Sequence, residues 1–530
     1  MSGVVEPRGS TPLRDRRTHL FLGWALVLTT LGIASAHVLR GRIPFTSDQA
    51  IPALMAMDIL DGSARPVFYY GVEYGGAVEP YLLAAVYRVV GPSTQALRAL
   101  LLLLLLAVVL GLWRVGSLGA GRRTGAWIGV FAALAPVYLY YKVLTSDGAY
   151  ASLTCAGVAI LLVCAAAERR LEERRSVLSL AAALGIASGL AFWIHLAAIP
   201  YLAVAVAAFF SWVLRGAAGV RHGLVASTTF LLGSLPWWMR NIETKFASLR
   251  LSEASPVSAD VIVGRLGALV SESLPILLGP SSFRGLGAPA WAIPVLVLAV
   301  GLVLADGARG ALRAEREADR GLCRLSLTLV ATSVAAFLLA RNTAPWEPRY
   351  LLPALVGIVI LAGRAFSGAL EASRWRCVLA LVPLAFAVSS HARAPFLRDF
   401  QRAASDDRRG REVFFASARD VLGALERNGV RSIYGSYWSV YRLVFLSGRA
   451  VAGAPFGRIA VDRIPELTKR ADTDASPAFL LDGEDLKDME TYLAARGFSA
   501  DRTRVGGVVL YTNLPAEAVS ELRAARRVPR

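Results

Sequence analysis

Cysteine and charge are both scarce in this sequence. Four of the 530 residues are cysteine, which excludes a scaffold held together by disulfide bonds. Charged residues make up 18% of the chain and hydrophobic residues 55%, and the mean hydropathy is +0.50. This balance excludes a disordered chain and argues against an ordinary soluble enzyme. The sequence therefore indicates a membrane protein.

Internal repeats are also missing, both at periods of 20–50 residues and as an inverted pair of halves. Instead, apolar runs alternate with short charged breaks from residue 19 to residue 391. A helix needs about 20 apolar residues to cross the hydrocarbon of a bilayer. The pattern predicts eleven spans, at 19–39, 97–113, 124–141, 148–167, 177–195, 197–214, 223–239, 289–305, 323–340, 351–368 and 375–391.

The sequence after residue 391 has a different texture, in which helical and strand patterns alternate. Strands are predicted at 431–436, 450–455, 477–482 and 505–512, with helices between them. Such alternation predicts a small α/β domain with a largely parallel sheet over 392–530. This domain has no glycine-rich phosphate loop, no Cys/His metal spacing and no nucleophile elbow. We expect it to be an accessory or acceptor-handling domain.

The net charge of +18 suggests a nucleic-acid partner until its placement is considered. Of the 34 basic residues before residue 392, 21 fall in the short stretches that would lie on one side of the membrane. By the positive-inside rule that side is cytoplasmic, so 1–18 form a cytoplasmic tail and 19–391 the membrane domain. The outer side then holds the loops 40–96 and 240–288 and the domain 392–530. The charge indicates topology, and we expect no nucleic-acid binding.

The first span has two interpretations. Basic residues precede it, and Ala34-Ser35-Ala36 resembles a signal-peptidase site. The apolar run is long for a signal peptide, however, and is also typical of an uncleaved anchor. Either alternative leaves the following loop outside a bacterial cytoplasmic membrane.

The outer loop 40–96 is rich in features. It contains two amphipathic stretches, 48–60 and 78–90, on either side of an aromatic, glycine-rich patch at 68–76. Both stretches are too short or too polar to span, so we expect them to lie along the outer interface. That arrangement suits an enzyme whose substrate has a lipid tail. Long ordered loops are frequently functional.

Two aspartates follow or precede spans on this outer side. Asp48 and Asp147 each lie beside a Ser or Thr at an expected helix start, where a cap and a first-turn acid account for them structurally. The functional alternative makes Asp48 a carboxylate that accepts a proton from an incoming hydroxyl. Two outer carboxylates would share a site, and they would be the ligands of any divalent metal ion.

Cations and other polar residues on the outer side are candidates for substrate binding. Snorkelling to lipid headgroups explains each basic residue at a span end, and phosphate binding is the alternative. Arg349-Tyr350 follows the rigid turn Pro345-Trp346-Glu347-Pro348, which favours a phosphate role. A histidine at the outer end of a span is either a helix-end residue or a ligand. The candidates are Glu73, Glu79, Lys142, His195, Arg240, Arg341, Arg349 and Tyr350.

Several short motifs occur in a family's order along the chain. They are Ser-Asp-Gln-Ala at 47–50, Ile-Leu-Asp-Gly at 59–62, Gly-Pro-Ser-Thr-Gln-Ala-Leu-Arg at 91–98, Leu-Thr-Ser-Asp at 144–147 and Arg-Tyr-Leu-Leu-Pro at 349–353. This order resembles the C-type glycosyltransferases, in particular the bacterial relatives of protein O-mannosyltransferases and lipid A aminoarabinose transferases. The resemblance covers most of residues 19–370.

The resemblance implies an integral membrane enzyme that takes a sugar from a polyprenyl-phosphate donor on the outer side. It implies that Asp48 is the catalytic base and Asp147 a second active-site acid, with a glycan, lipid or protein as acceptor. Two positions depart from the family. Gln49 stands where many relatives have Glu, and Glu73 and Glu79 lack the lysine of the lipid A transferases. These departures argue against the aminoarabinose reaction.

Two other classes of function compete with the glycosyltransferase. A transporter or lipid flippase for cell-envelope precursors would carry ionisable residues within the membrane and internal repeats, and the sequence shows neither. A non-catalytic membrane partner that holds the outer domain near cell-envelope polymers is the third alternative. The sequence does not identify the sugar, the acceptor, the prenyl chain, metal dependence or the oligomeric state.

Overall fold

The structure is a computed structural model, and it describes most of the chain. The described residues are 12–39, 43, 45–249, 257–281, 288–340, 345, 348–372, 374–393 and 418–528. For residues 12–20, 371–380 and 393 the description is of the backbone only. Of the candidate site residues, Arg341 lies outside the described residues.

Helices make up the described residues before residue 394. In chain order they are α1 Pro12–Leu39, α2 Ser47–Asp61, α3 Val78–Val90, α4 Thr94–Gly119, α5 Arg122–Ala133, α6 Val137–Leu144, α7 Tyr150–Glu172, α8 Leu178–Ile194, α9 Ile199–Leu214, α10 Val220–Gly233, α11 Leu235–Glu243, α12 Ala259–Ala268, α13 Leu274–Leu278, α14 Ala292–Arg313, α15 Glu317–Leu339, α16 Leu352–Ala372 and α17 Arg374–Arg393. A helical membrane part followed by a small sheet confirms the predicted fold class.

Eight helical segments of the described residues are long and apolar enough to cross a membrane, against eleven predicted spans. They are Phe21–Leu39, Thr94–Gly119, Tyr150–Glu172, Leu196–Leu214, Ala259–Leu278, Ala292–Arg313, Glu317–Leu339 and Arg349–Leu370. The pair α5 and α6 adds a ninth if it is counted as one span, although the two helices are bent by 72° near Pro136. The predicted spans at 177–195 and 223–239 correspond to shorter helices, α8 and α10, and the one at 375–391 corresponds to α17, whose apolar part is the shorter Leu381–Ala392.

The segment Ala259–Leu278 differs from the sequence prediction, which placed 240–288 in an outer loop. Charged residues punctuate this segment, although its most apolar stretch is as hydrophobic as that of Phe21–Leu39. The fold satisfies one of these charges internally, because Arg265 donates to the carbonyl oxygens of Leu338 and Ala340, each at 2.7 Å. A charged side chain that caps a neighbouring helix end is compatible with an apolar setting.

The short helices α8 and α10 pack closely along their length. Gly185 and Gly189 form a small-xxx-small pattern on α8, and a Cβ at either position would overlap backbone carbonyl oxygens of α10. Such glycines let two helix backbones approach, which is how helices associate without a hydrophobic driving force in lipid.

The C-terminal residues form a five-stranded sheet with helices packed around it. The strands are β1 Ser432–Gly435, β2 Ala452–Pro455, β3 Ala478–Leu481, β4 Asp501–Val505 and β5 Val508–Thr512, in the order β2-β1-β3-β5-β4. The helices are α18 Ala418–Arg427, α19 Tyr437–Leu446, α20 Pro465–Asp472, α21 Gly483–Arg496 and α22 Ala516–Ala525.

The expectation of a largely parallel sheet is only half right. β1 pairs in parallel with β2 and β3, while β5 is antiparallel to both β3 and β4. The single strand predicted at 505–512 is a hairpin, because Val505 pairs with Val508 across a two-residue Gly-Gly turn. Gly506 has a positive φ of 61° there, as such a turn requires.

The helix α2 lies beneath the C-terminal domain rather than on an exposed interface. Its residues from Gln49 to Ala56 are buried, between α3 on one side and α19 on the other. The sequence predicted an interfacial position because it contains no local sign of the covering domain. By contrast, α3 keeps the exposed apolar side chains Tyr81, Leu82, Val89 and Val90.

Ion pairs join neighbouring long helices at the end of the bundle away from the start of α7. Near the far end of α7, Glu168 accepts two bonds from Arg215 at 2.7 and 2.9 Å. Similarly, Arg364 of α16 binds Asp319 of α15 and Asp306 of α14. Tyr150, at the start of α7, lies at the opposite end of this helix from Glu168. The candidate residues described next lie near Tyr150.

Candidate functional site

A buried carboxylate at the start of α3 organises the turn before α7. Glu79 is fully buried, and it accepts hydrogen bonds from the hydroxyls of Ser146 and Ser152, the second at 3.4 Å. Burial, with a smaller contribution from the charge of Asp147, raises the pKa of Glu79 to about 7 against the opposing effect of these serines. Glu79 is therefore poised to change its charge near neutral pH.

The turn also holds Asp147 in an ion pair. Lys142 of α6 is 1% exposed, and its Nζ lies 3.2 Å from Oδ2 of Asp147. The other carboxylate oxygen, Oδ1, accepts a bond from Thr145 at 2.7 Å. Gly148 and Ala149 complete the turn with positive φ values of 98° and 62°. The structure brings these residues together, so Lys142 is not a snorkelling surface residue.

Two further predicted residues, His195 and Arg349, also lie near Tyr150. The ring centroid of His195 is 5.7 Å from that of Tyr150, and both Lys142 and Arg349 are charged neighbours of this tyrosine. The Ala197 N–H donates to His195 Nδ1 at 2.9 Å, so the proton of the neutral imidazole resides on Nε2. Arg349 lies over the ring of Tyr350, 5.3 Å from its centroid.

Two predicted residues, Glu73 and Arg240, pair with each other at the rim of this region. Their closest atoms, Oε1 and Nη2, are 2.9 Å apart, and the side chains are 39% and 41% exposed. An exposed ion pair contributes little to stability. The adjacent Tyr74 meets His195 edge-on, with centroids 6.1 Å apart, which places the aromatic patch beside the site.

Asp48 lies in the first turn of α2, and its partner comes from the C-terminal domain. The phenol of Tyr437 donates a hydrogen bond to Oδ1 of Asp48. Thr46 is the N-cap residue of α2, but its side chain makes no capping bond. The purely structural account of this sequence motif as a capped helix start is therefore incomplete.

Tyr69 and Arg463 connect the surroundings of the two aspartates. Burial and then the charge of Glu79 raise the pKa of Tyr69 well above its usual value, so this phenol stays neutral. Asp147 and Arg463 are further charged neighbours of Tyr69. Arg463 is also a charged neighbour of Tyr437. Through Arg463, the surroundings of Asp48 and Tyr437 are thus linked to those of Tyr69, Glu79 and Asp147.

The described part of the chain gathers no group of three or more His, Cys, Asp or Glu side chains suited to a metal ion. A metal on Asp48 and Asp147 would need to compete with Tyr437 for the first and with Lys142 for the second. Engaged in this way, the two carboxylates do not fit the divalent metal ion that the sequence left open.

The sequence analysis missed three residues of this region: Tyr437, Ser152 and Arg463. Ser152 lies within an apolar helix pattern, where its local signal is weak. Tyr437 and Arg463 belong to the C-terminal domain, and Tyr437 is 389 residues from Asp48. Within one sequence, no local pattern connects positions so far apart.

Glu79 makes the stability of the protein depend on pH. Its folded-state pKa of about 7 lies above the unfolded value, so folding favours the protonated carboxyl, and this contribution is lost as the pH rises from about 4.5 through 7. The loss is on the order of 3 kcal/mol. In detergent, the wild-type unfolding temperature should fall between pH 4.5 and 7, and Glu79→Gln should remove most of that fall.

The exposed Glu173 provides the control for this titration, because Glu173→Gln should keep the wild-type pH dependence. An identical slope in wild type and Glu79→Gln would show that Glu79 does not titrate in this range.

No protein-family model and no curated protein matches this sequence. Solved structures do match its fold. ArnT from Cupriavidus metallidurans in the apo state is 14% identical, with a TM-score of 0.58 over 97% of this chain and 100% of that one. ArnT bound to undecaprenyl phosphate matches at 14% identity and a TM-score of 0.56, over 96% and 99% of the two chains.

A third match is the Archaeoglobus fulgidus oligosaccharyltransferase AglB in complex with an inhibitory peptide and a dolichol-phosphate. It is 12% identical, with a TM-score of 0.51 over 94% of this chain and 74% of that one. These likenesses confirm that the chain has the C-type glycosyltransferase fold that its motifs predicted.

Proposed function

We propose that this chain is a membrane glycosyltransferase that moves a sugar from a polyprenyl-phosphate donor to an acceptor hydroxyl. The observation that carries the proposal is the cluster of two cations, Lys142 and Arg349, and the carboxylate of Asp147 around Tyr150, with Asp48 held separately by Tyr437. The fold supports it, since solved structures of the same fold hold undecaprenyl phosphate or a dolichol-phosphate.

In the proposed reaction, Asp48 is the general base. It takes the proton of the acceptor hydroxyl as the oxygen attacks the anomeric carbon, and the bond from that carbon to the phosphate oxygen breaks. The polyprenyl phosphate leaves with the electron pair, and an in-line displacement inverts the anomeric configuration. A carboxylate is suited to this role because its oxygens accept protons and hydrogen bonds.

The leaving group determines the role of the cations. A phosphate is a weak base, so its departure requires stabilisation of negative charge more than a proton. Lys142 and Arg349 lie near Tyr150 and would bind the phosphate oxygens there. Asp147 would hold Lys142 in place, which makes it a second acid of the site. His195, with its proton on Nε2, and Tyr350 would contribute neutral hydrogen bonds.

The remaining predicted residues would bind the acceptor or hold other residues of the site in position. Glu73 and Arg240 form an exposed pair at the rim, where they would meet a polar acceptor. Glu79 binds Ser146 of the turn before α7 and Ser152 of the first turn of α7, so it would hold Asp147 in position rather than contact the sugar. The acceptor is a hydroxyl of a glycan, lipid or protein.

The distribution of basic residues supports an orientation for this enzyme. A cytoplasmic N-terminus in a bacterial inner membrane would place α2, the aromatic patch and the C-terminal domain outside the cytoplasm. The site would then face the side on which polyprenyl-phosphate sugars are used, and nucleic acids would not reach it.

A deletion strain tests the proposed function without knowledge of the sugar. Loss of the transferase should cause one polyprenyl-phosphate sugar to accumulate and one glycan to disappear, both detected by mass spectrometry. Complementation with wild type should restore both, whereas Asp48→Asn should restore neither. A deletion strain whose lipid-linked sugars and glycans are unchanged would contradict the proposal.

A further inference from the structure

The carboxylate of Asp48 is held by a side chain from the other end of the chain. Tyr437, the first residue of α19, follows β1 directly and is 6% exposed. Its hydroxyl donates to Oδ1 of Asp48. Among the described residues, Oδ2 of Asp48 has no hydrogen-bond partner, so the second oxygen is left for another donor.

The position of Tyr437 is fixed by its own domain. Its ring packs edge-on against Trp438 and Tyr441, at centroid distances of 5.1 and 5.8 Å. Its backbone N–H donates to the carbonyl oxygen of Ile459 at 3.2 Å. A side chain restrained in this way holds its hydroxyl at a set place relative to the sheet, since ring and backbone are both engaged.

Contacts toward the C-terminal end of α2 also fix the position of the C-terminal domain on this helix. Arg449 binds the carboxylate of Asp58 and donates to the carbonyl oxygen of Leu54 at 2.9 Å. In addition, the rings of Phe45, just before α2, and Phe445 of α19 pack with centroids 5.3 Å apart. The bond between Tyr437 and Asp48 therefore belongs to a multi-point interface.

A third contact joins the domain to the aromatic patch. Arg463 Nε donates to the carbonyl oxygen of Tyr70 at 2.6 Å. At the next residue, Gly71, a Cβ would lie 2.6 Å from the Cα of Arg463, and φ is +69°. The backbones approach so closely that the patch accepts only glycine here. Both the start of α2 and the patch are thus matched to the surface of the C-terminal domain.

We propose that Tyr437 is a positioning residue for Asp48, so that the C-terminal domain completes the catalytic site. This inference rests on the proposed function, since it assigns the task of orienting the base. With Oδ1 fixed by the phenol, Oδ2 is the oxygen that receives the acceptor proton. Tyr437 cannot be the base itself, because burial and the charge of Asp48 raise its pKa far above neutral pH.

The proposal predicts a specific kinetic effect for Tyr437→Phe in the full-length protein in nanodiscs. The donor would be the polyprenyl-phosphate sugar that accumulates in the deletion strain. We expect kcat to fall roughly 10- to 100-fold, because a small misplacement of a base is costly, while KM for the donor stays within about twofold. Tyr492→Phe is the matched control, since its phenol binds Glu521 within the C-terminal domain.

A double-mutant cycle separates positioning from a general structural role. In an Asp48→Asn background, Tyr437→Phe should have no further effect on kcat, because the base that it positions is gone. An additive loss in the double mutant, or an unchanged kcat in Tyr437→Phe, would overturn the proposal.

Hydrogen–deuterium exchange tests the contact independently of transfer. Exchange of the backbone amides at 47–50 should be faster in Tyr437→Phe than in wild type or Tyr492→Phe, since the first turn of α2 loses an anchor. If wild type transfers no sugar but this difference appears, the proposed function fails and the contact stands. Equal exchange in all three proteins would contradict the proposal.

Discussion

Asp48→Asn should lower turnover by roughly 100- to 10,000-fold, the usual contribution of a positioned general base. Asparagine has nearly the same shape as aspartate, and its carbonyl oxygen still accepts a bond from Tyr437. The variant should therefore fold and dock its C-terminal domain normally. What it loses is the charge that accepts the proton of the acceptor hydroxyl.

Asp61→Asn is the matched control for this variant. Asp61 lies at the end of the same helix, is 54% exposed and reaches Arg449 at 3.4 Å. Its loss should change kcat by less than about twofold, because an exposed ion pair contributes little. Initial rates with purified protein and the accumulated donor measure both effects. Near-normal turnover by Asp48→Asn would remove this residue from the mechanism.

Lys142→Met should have the second-largest effect, and it should appear in both stability and binding. Lys142 is 1% exposed, and the Asp147 side chain 22%, so removal of the lysine leaves a partly buried carboxylate without this counter-ion. Breaking such a pair costs about 3–5 kcal/mol. The exposed pair Arg169–Glu173 gives the control, since Arg169→Met should barely shift the unfolding temperature.

The double variant Lys142→Met/Asp147→Asn separates the two effects. Removing both charges should recover most of the lost unfolding temperature, because the unpaired carboxylate is gone. If Lys142 binds the phosphate of the donor, the double variant should still bind undecaprenyl phosphate more weakly than wild type. Native mass spectrometry measures that binding. Wild-type affinity in the double variant would limit Lys142 to a structural role.

Much of the architecture could be predicted because hydropathy and periodicity are local properties. The long apolar runs became helices such as α4 and α7, and the alternating pattern after residue 430 became the strands β1, β2 and β3. The sequence prediction of spans was wrong where a tertiary contact satisfied a charge inside an apolar segment. Ala259–Leu278 contains Arg265, whose charge is satisfied by the end of α15, and this disguised a helix long enough to span.

The candidate site was only partly visible in the sequence. Asp48, Asp147 and Arg349 were predicted because each stands in a short motif at the end of an apolar run, and Lys142 because it lies at a span end. The side chains that contact these residues in the fold were not predicted from the sequence. The burial of Glu79 against Ser146 and Ser152, and the pairing of Glu73 with Arg240, require elements that meet only in the folded chain.

The sequence by itself determined that this is a helical membrane protein with a small α/β domain, and its motif order indicated the glycosyltransferase fold. Composition, charge placement and short motifs are sufficient for that, because each is set by residues close together in the chain. Only the tertiary structure decided which side chains surround Asp48. That arrangement depends on a helix 389 residues away, packed on α2 by Arg449 and two aromatic rings. Contacts over such separations come from the packing of whole elements, which no local pattern records.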